Sequence, residues 1–199
     1  MPRKKLDPWF KAEANAMSAI DNARVSTNWS ALADEIKILS EARLARVHAA
    51  HNGKSVHIIS DSDEIEAVRE GGRYLIQPPL VARDASLLDG FLKSKGISGV
   101  VACREPDTRL GLCPIVALGS GVKVRVQIDA PKNPKKPTCA WFDYALEELG
   151  THVVEKINPD TTTQRQLDGL IAHFSAIPTY TGAYLVAIDL CNTLANENV

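Results

Sequence analysis

The strongest candidate for chemistry in this sequence is the acidic segment Ser60-Asp61-Ser62-Asp63-Glu64, which follows the apolar run from Val56 to Ile59. In open α/β sheets, ligands bind beyond the carboxyl ends of strands, and clustered carboxylates there can hold a divalent cation. The same residues also suit a helix start, because Ser60 or Asp61 can accept amide protons of the first turn and acidic side chains complement the helix dipole. The sequence favours the helix cap and leaves a metal-dependent site as the alternative.

Three histidines, His48, His51 and His57, form a second candidate cluster. A spacing of three residues puts His48 and His51 on one helical face, which can suit zinc. No carboxylate or cysteine falls at a spacing that completes such a site, and a histidine near a helix carboxyl end is favoured by the helix dipole alone. We therefore predict neither a metal nor a cofactor.

Motifs of nucleophilic and phosphate-transfer enzymes are absent from the sequence, which contains no GxSxG, GxxxxGK[ST], GxGxxG or HExxH. Gly119-Ser120-Gly121 precedes a strand, whereas a phosphate cradle precedes a helix, so it is interpreted as a hairpin loop. Asp189 lies in an apolar segment, where it is either a buried acid or, more simply, a polar position at the rim of a sheet. These absences favour a non-enzymatic protein without excluding an enzyme, since catalytic residues can converge from distant positions.

The most coherent polar feature is basic. Its members are Arg3, Lys4 and Lys5 in the amino-terminal tail, Lys123 and Arg125 on one face of a strand, and Lys132, Lys135 and Lys136 in the loop that follows. No acidic residue occurs between Ala130 and Phe142, and three prolines in residues 131–137 stiffen the loop. Such a surface can rest on a phosphate backbone. Lysines on strands also prevent edge pairing, and no exposed aromatic residue alternates with the charges to stack on bases.

Composition sets the outer limits. The 199 residues have a formal net charge of −1, so no long-range field drives the whole molecule towards nucleic acid or an anionic membrane. The four cysteines are scattered and are predicted to be buried thiols, with a Cys103–Cys113 disulfide as the one pairing to test. The basic start is followed by no apolar core, and no apolar run approaches a membrane span of about 20 residues. We expect a cytoplasmic protein, or a virion protein if the chain is viral.

The elements that must position these residues begin with two helices. Asp7-Pro8 predicts the start of the first helix, and Ser26-Thr27-Asn28 predicts the cap of a second, which ends at Asn52-Gly53. Short strands are then predicted at residues 56–59, 74–76 and 100–103. Helices separate them, one closed by Gly71-Gly72 and one capped by Asp84.

The clearest strand runs from Val122 to Asp129, because apolar and polar residues alternate there without interruption. It should pair antiparallel with the apolar segment Ile115 to Leu118 across the glycine loop. Thr138 should cap a helix that ends at Gly150. A strand at Val153 to Ile157, a helix from about Thr163, and an apolar central strand from Tyr184 to Leu190 complete the expected order.

The predicted fold class is α/β or α+β, with a mixed sheet and packed helices behind an amino-terminal helical hairpin. Residues 1–53 form the helical arm and residues 54–199 the body in this interpretation. The favoured function is a non-enzymatic assembly protein that docks to other subunits, of the kind found in viral or phage particles, with nucleic acid as a second partner. The alternative is a small-molecule or metal-dependent enzyme with its site at Ser60 to Glu64.

Overall fold

A five-stranded mixed sheet lies between two layers of helices. The computed structural model describes residues 8–53 and 55–197, and these ranges contain seven helices and five strands. In chain order they are α1 (Pro8–Val25), α2 (Trp29–Ala50), β1 (Val56–Ile59), α3 (Ser62–Ala67), β2 (Gly72–Ile76), α4 (Ala82–Lys95), β3 (Gly99–Arg104), β4 (Leu112–Leu118), β5 (Lys123–Asp129), α5 (Cys139–Glu155), α6 (Thr163–His173) and α7 (Thr181–Glu197). The predicted mixed α/β class is confirmed. Asp7, the predicted start of the first helix, lies outside the described residues.

The sheet has the strand order β1-β2-β3-β4-β5, which is the order of the strands along the chain. The first three strands are parallel, because a helical crossover returns the chain to the same end of the sheet each time. The last two join by hairpins and are antiparallel. The predicted pairing across Gly119-Ser120-Gly121 is confirmed, with Leu118 opposite Lys123.

Strand β5 has the alternation that its sequence predicts. Val124, Val126 and Ile128 are buried, whereas the polar side chains between them are exposed. The buried side chains belong to the larger of two hydrophobic cores, which also contains Leu75 and Ile115. This core lies on the sheet face covered by α2 and α5, and α7 packs against these two helices. A smaller core on the opposite face packs against α4.

The amino-terminal helices pack on their own chain. Asn28 caps α2 as predicted, its side chain accepting a hydrogen bond from the amide of Ala31 at 3.1 Å. Ile20 on α1 and Trp29, Leu32 and Ile36 on α2 belong to the same core as the sheet. The hairpin therefore does not leave this apolar surface for a neighbour. The boundary at residues 53 and 54 stays a prediction.

The predicted strand from Val153 to Ile157 is wrong, because α5 continues to Glu155 and Lys156 caps it. Gly150, interpreted as the end of that helix, lies inside it. A β-carbon at Gly150 would come within 2.0 Å of the ring of Tyr180. The glycine therefore permits a close approach between a helix and a loop, which the sequence pattern does not distinguish from a helix end.

The predicted central strand from Tyr184 to Leu190 is also wrong, since these residues form part of helix α7. The buried residues Tyr184, Ala187, Cys191 and Leu194 recur at helical spacing. A short apolar run is compatible with a buried strand or a buried helix. The spacing of the buried residues over a longer segment, continuing to Leu194, shows that this one is a helix. Asp189 is exposed on the outer face of this helix, so it is neither a buried acid nor a sheet-rim residue.

Smaller differences concern helix ends. Helix α3 ends at Ala67, before the predicted Gly71-Gly72, and Gly72 begins β2. Val81 is the cap position of α4, and Asp84 lies in the first turn, where its Oδ2 accepts a hydrogen bond from the Val81 amide at 2.7 Å. Asp84 thus stabilises the start of the helix from its third helical position, and it is not the cap residue itself.

All four cysteines are free thiols, so the Cys103–Cys113 disulfide is excluded. Cys103 belongs to the core under α4, whereas Cys113 belongs to the core on the opposite face of the sheet. Burial raises the pKa of Cys103 to about 12 and that of Cys113 to about 11. Within the described ranges, no helix combines the length and the apolar character needed to cross a membrane.

Candidate functional site

The structure places five of the predicted basic residues on strand β5 and in the loop that follows it. We call them the basic surface: Lys123 and Arg125 on the exposed face of β5, and Lys132, Lys135 and Lys136 in the loop between β5 and α5. All five side chains are exposed. The amino-terminal Arg3, Lys4 and Lys5 lie outside the described residues, so their part in this surface stays a prediction.

The strand part of the basic surface is partly neutralised, since Lys123 and Arg125 share one carboxylate. Nε of Arg125 donates a hydrogen bond to Oε2 of Glu105 at 2.8 Å, and Nζ of Lys123 lies 3.5 Å from Oε1 of the same carboxylate. The hydrogen bond from Arg125, with the charges of Arg125 and Lys123, lowers the pKa of Glu105 despite its partial burial. Glu105 follows β3, and the sequence pattern did not reveal that it returns to β5.

The loop part of the basic surface is held in a defined conformation. Pro131 and Pro137 are buried at its two ends. Between them Asn133 makes a turn, its side-chain Oδ1 accepting a hydrogen bond from the Lys135 amide and its backbone oxygen accepting one from the Lys136 amide, both at 3.0 Å. We call residues 131–137 the basic loop.

The lysines of the basic loop have no acidic partner in the described part of the chain. No Asp or Glu oxygen there lies within 4.0 Å of the Nζ atoms of Lys132, Lys135 and Lys136, whereas Lys123 and Arg125 share one. The surface thus divides into a partly compensated strand and an uncompensated loop. The loop is the part most available to an external anion.

The acidic segment is a helix cap. Asp61 caps α3 by accepting a hydrogen bond from the Asp63 amide at 3.0 Å, and Glu64 Oε2 accepts one from the Asp61 amide at 3.3 Å, which completes a capping box. The same oxygen also accepts a hydrogen bond from the Ser60 amide at 2.9 Å. Asp61, Asp63 and Glu64 are exposed. In residues 8–53 and 55–197, no group of three His, Cys, Asp or Glu side chains has the arrangement of a metal site.

The three histidines have separate surroundings. Nε2 of His51 lies 3.6 Å from Oδ1 of Asp143, which also forms an ion pair with Arg73. His57 stacks on Tyr74 with 5.3 Å between ring centroids, and His48 is exposed on α2. Burial and the nearby Arg73 lower the pKa of His51, against the opposing effect of Asp143. This geometry supports a structural role for His51 at the end of α2.

The structure contains a buried charged cluster that the sequence interpretation missed. Glu13 of α1 and Arg43 and Arg46 of α2 have side chains only 11 %, 6 % and 2 % exposed. Nε of Arg46 donates to Oε1 of Glu13 at 2.5 Å, and Nε of Arg43 lies 3.4 Å from Oε2. We call these three residues the buried arginine cluster.

Both arginines also satisfy main-chain oxygens in the core. Nη1 of Arg43 donates to the carbonyl of Phe174 at 2.6 Å and to the hydroxyl of Tyr184 at 2.7 Å. Nη1 of Arg46 donates to the carbonyl of Gly99 at 2.9 Å. The cluster thereby connects α1 and α2 to β3 and to the segment before α7.

A signal for this cluster was present in the sequence. The buried stripe of α2 runs through Leu32, Ile36 and Leu39, and continuing it at helical spacing reaches Arg43 and then Arg46. Two arginines on the apolar face of a helix require a buried counter-charge. That the counter-charge is Glu13, 30 residues earlier, depends on how the hairpin folds.

Comparisons with known proteins return no relative. No protein-family model, no curated protein and no solved structure matches this chain. The function must therefore be argued from the residues of this molecule.

Proposed function

We propose that this protein is a non-enzymatic interaction protein that binds the phosphate backbone of nucleic acid through its basic loop. The observation that supports this function best is the group Lys132, Lys135 and Lys136, exposed on a loop with buried ends and without an acidic partner in the described residues. A fixed loop loses less conformational entropy on binding than a flexible one. The lysines therefore act as a preformed contact.

The form of the loop predicts the kind of binding. Lysine ammonium groups attract phosphate as point charges, and phosphate contacts carry no direct sequence information. Lys123 and Arg125 contribute less to binding, because Glu105 already accepts a hydrogen bond from Arg125 and forms an ion pair with Lys123. We expect weak, sequence-independent affinity that falls with salt concentration. For three phosphate contacts the slope of log K against log salt should be about −2.7 for a duplex and about −2.1 for a single strand.

Assembly with other subunits stays part of the proposal. The helical hairpin offers less apolar surface for such docking than its aromatic residues suggest, because Trp29 is buried in the core of its own chain. The indole of Trp9 donates a hydrogen bond to Ser98 Oγ at 3.0 Å. Docking to other subunits, virion membership and cytoplasmic location rest on the sequence pattern alone. The alternative of a metal-dependent enzyme gains no support from the exposed capping box.

The test is fluorescence anisotropy of a labelled 20-nucleotide single strand and of the matching duplex between 25 and 300 mM NaCl. The variant Lys132→Gln/Lys135→Gln/Lys136→Gln should bind at least tenfold more weakly than the wild-type protein at the lowest salt and should lose most of the salt slope. The matched control is Lys37→Gln/Lys95→Gln/Lys156→Gln, which removes three exposed charges elsewhere.

Two results overturn the proposal. One is an absence of salt-dependent binding by the wild-type protein. The other is an equal loss of affinity in both triple variants, which would show that total charge and not the basic loop determines binding. Light scattering at low and high salt tests assembly separately, and a monomer under both conditions would contradict the subunit-docking part.

A further inference from the structure

A cavity of about 870 Å³ lies beside the buried arginine cluster. It is bounded by the first half of α1, by α2, by the end of α4 and by Ser175 in the segment between α6 and α7. Phe10, Ala14 and Met17 form an apolar wall along α1. Its volume is within the range of sites that enclose small organic ligands.

The charges that border this cavity are predominantly positive. Among the described residues that line it, Lys11, Arg43 and Lys93 are basic and Glu13 is the one acidic residue. Lys93 is paired with Asp89 at 2.6 Å, near the rim. Glu13 is shared with Arg46, which lies deeper, so two guanidinium groups face a single carboxylate. The buried arginine cluster therefore has one positive charge more than its carboxylate balances, which is costly to bury without a further anion.

Hydrogen-bond donors of both arginines also remain under-used. In the described part of the chain, Nη2 of Arg43 contacts the sulfur of Met17 at 3.9 Å, a weak acceptor. Nη2 of Arg46 is buried and has no hydrogen-bond partner among the described residues. A small cavity of about 40 Å³, which also borders Ser175, adjoins Arg46. Unsatisfied buried donors of this kind are rare and favour an acceptor that the protein itself does not supply.

We propose that this cavity binds a small organic monocarboxylate with an apolar body. The carboxylate would accept hydrogen bonds from Nη2 of Arg43 and balance the excess charge, and the apolar body would lie against Phe10, Ala14 and Met17. A planar guanidinium suits a carboxylate better than a neutral or cationic head group. The mostly apolar wall disfavours sugars and nucleotides, whose many polar groups would lack partners there. This inference is independent of nucleic-acid binding by the basic loop.

The first test is isothermal titration calorimetry with dodecanoate, below its micelle-forming concentration, against dodecan-1-ol as the probe that lacks the charge. Dodecanoate should bind with a stoichiometry of one and at least tenfold more tightly than the alcohol. Equal affinities would overturn the assignment of the carboxylate to the arginines. An absence of dodecanoate binding would overturn the site itself.

The second test places the ligand in the cavity by substitution. Ala14→Trp fills the apolar wall without altering a charged group, and its matched control is Ala45→Trp, the same change at an exposed position of α2 outside the lining. Ala14→Trp should weaken dodecanoate binding at least tenfold, and Ala45→Trp should leave it within twofold of wild type. Unchanged binding in Ala14→Trp, or equal loss in both, would overturn the location. Because both positions are exposed helix residues, both variants should fold, which circular dichroism verifies.

Discussion

The basic loop and the buried arginine cluster hold the same kind of charge in opposite surroundings. Lys132, Lys135 and Lys136 are in water, where solvent screens them and no carboxylate of the described chain is needed nearby. Arg43 and Arg46 are in the core, where Glu13 and several carbonyl and hydroxyl oxygens surround them. A positive charge is therefore free for a partner at the surface, whereas in the interior it depends on buried counter-groups, here one carboxylate for two guanidinium groups.

The same contrast between buried and exposed charges predicts which substitutions affect stability and which affect binding. Removing a buried partner leaves an uncompensated charge and should unfold or strongly weaken the protein, whereas removing an exposed lysine should affect partners and leave the fold intact. Strand β5 offers the sharpest test of this contrast, since its adjacent residues point into the core and into solvent.

The largest effect is expected for Val126→Asp. The Val126 side chain packs in the core on the helix-covered face of β5, and residue 126 is only 9 % exposed, so the new carboxylate would be buried without a partner. The variant should show no cooperative unfolding transition by circular dichroism. Gln127→Asp changes the next residue, whose side chain lies on the exposed face, and its free energy of unfolding should be within about 0.5 kcal/mol of the wild-type value. A Val126→Asp protein with the wild-type midpoint would contradict the assignment of the two faces.

The next largest effect is expected for Glu13→Gln. This change leaves Arg43 and Arg46 without a buried counter-charge, which should lower the free energy of unfolding by about 3–5 kcal/mol in urea. The comparison is Asp168→Asn, which breaks the half-exposed Arg24 ion pair of 2.6 Å and should cost no more than about 1 kcal/mol. Equal costs for the two variants would remove the distinction between the interior and the surface.

A smaller and pH-dependent effect is expected for Glu105→Gln. Because Arg125 and Lys123 lower the folded-state pKa of Glu105, its contribution to stability is present above its ordinary value of 4.5 and is lost as pH falls through the lowered folded pKa. The free energy of unfolding of the wild type should thus exceed that of the variant by about 0.2–1 kcal/mol at pH 7, and the two should converge as the pH falls below 4.5 through the lowered pKa of Glu105. A difference that grows towards acid pH would contradict the ion pair.

The same substitution also tests whether Lys123 and Arg125 of the basic surface take part in nucleic-acid binding. Glu105→Gln leaves Lys123 and Arg125 without their carboxylate partner, so it should strengthen nucleic-acid binding. The slope of log K against log salt should become steeper, by the amount expected for up to about two additional phosphate contacts. Unchanged binding would confine the contact to the basic loop.

The smallest effect on stability is expected for Lys132→Gln/Lys135→Gln/Lys136→Gln. These side chains are exposed and unpaired in the described chain, so the free energy of unfolding should change by no more than about 0.5 kcal/mol in urea. A loss above about 2 kcal/mol would show that the loop lysines are structural, and weaker binding by this variant would then reflect unfolding.

Local patterns predicted most of the fold. Four predicted kinds of feature depend on only a few neighbouring residues, and all are present in the structure. They are the alternation in β5, the caps at Asn28 and Thr138, the acidic cap of α3, and the hairpin across Gly119 to Gly121. The failures were equally local in origin. The segment from Tyr184 to Leu190 is apolar on nearly every residue, so its period is hidden within a short window and becomes helical only when Cys191 and Leu194 are included.

The candidate sites were predictable only in part. The exposed lysines could be recognised because they adjoin a strand whose faces are evident from the sequence. The pairing of Glu105 with Arg125, 20 residues away, and of Glu13 with Arg43, 30 residues away, could not be, because no spacing rule joins them. Ion pairs between elements depend on which helices and strands become neighbours.

The mixed α/β class, the faces of β5 and the positions of most helices were predictable from the amino-acid sequence, since these follow from periodicity and capping within a few turns of chain. Three features required the folded molecule: the packing of the amino-terminal hairpin on its own sheet, the partial neutralisation of the strand part of the basic surface by Glu105, and the cavity lined by Arg43 beside Glu13. The physical reason is that burial and charge compensation belong to the whole fold: a side chain meets its partner only after distant elements have packed together.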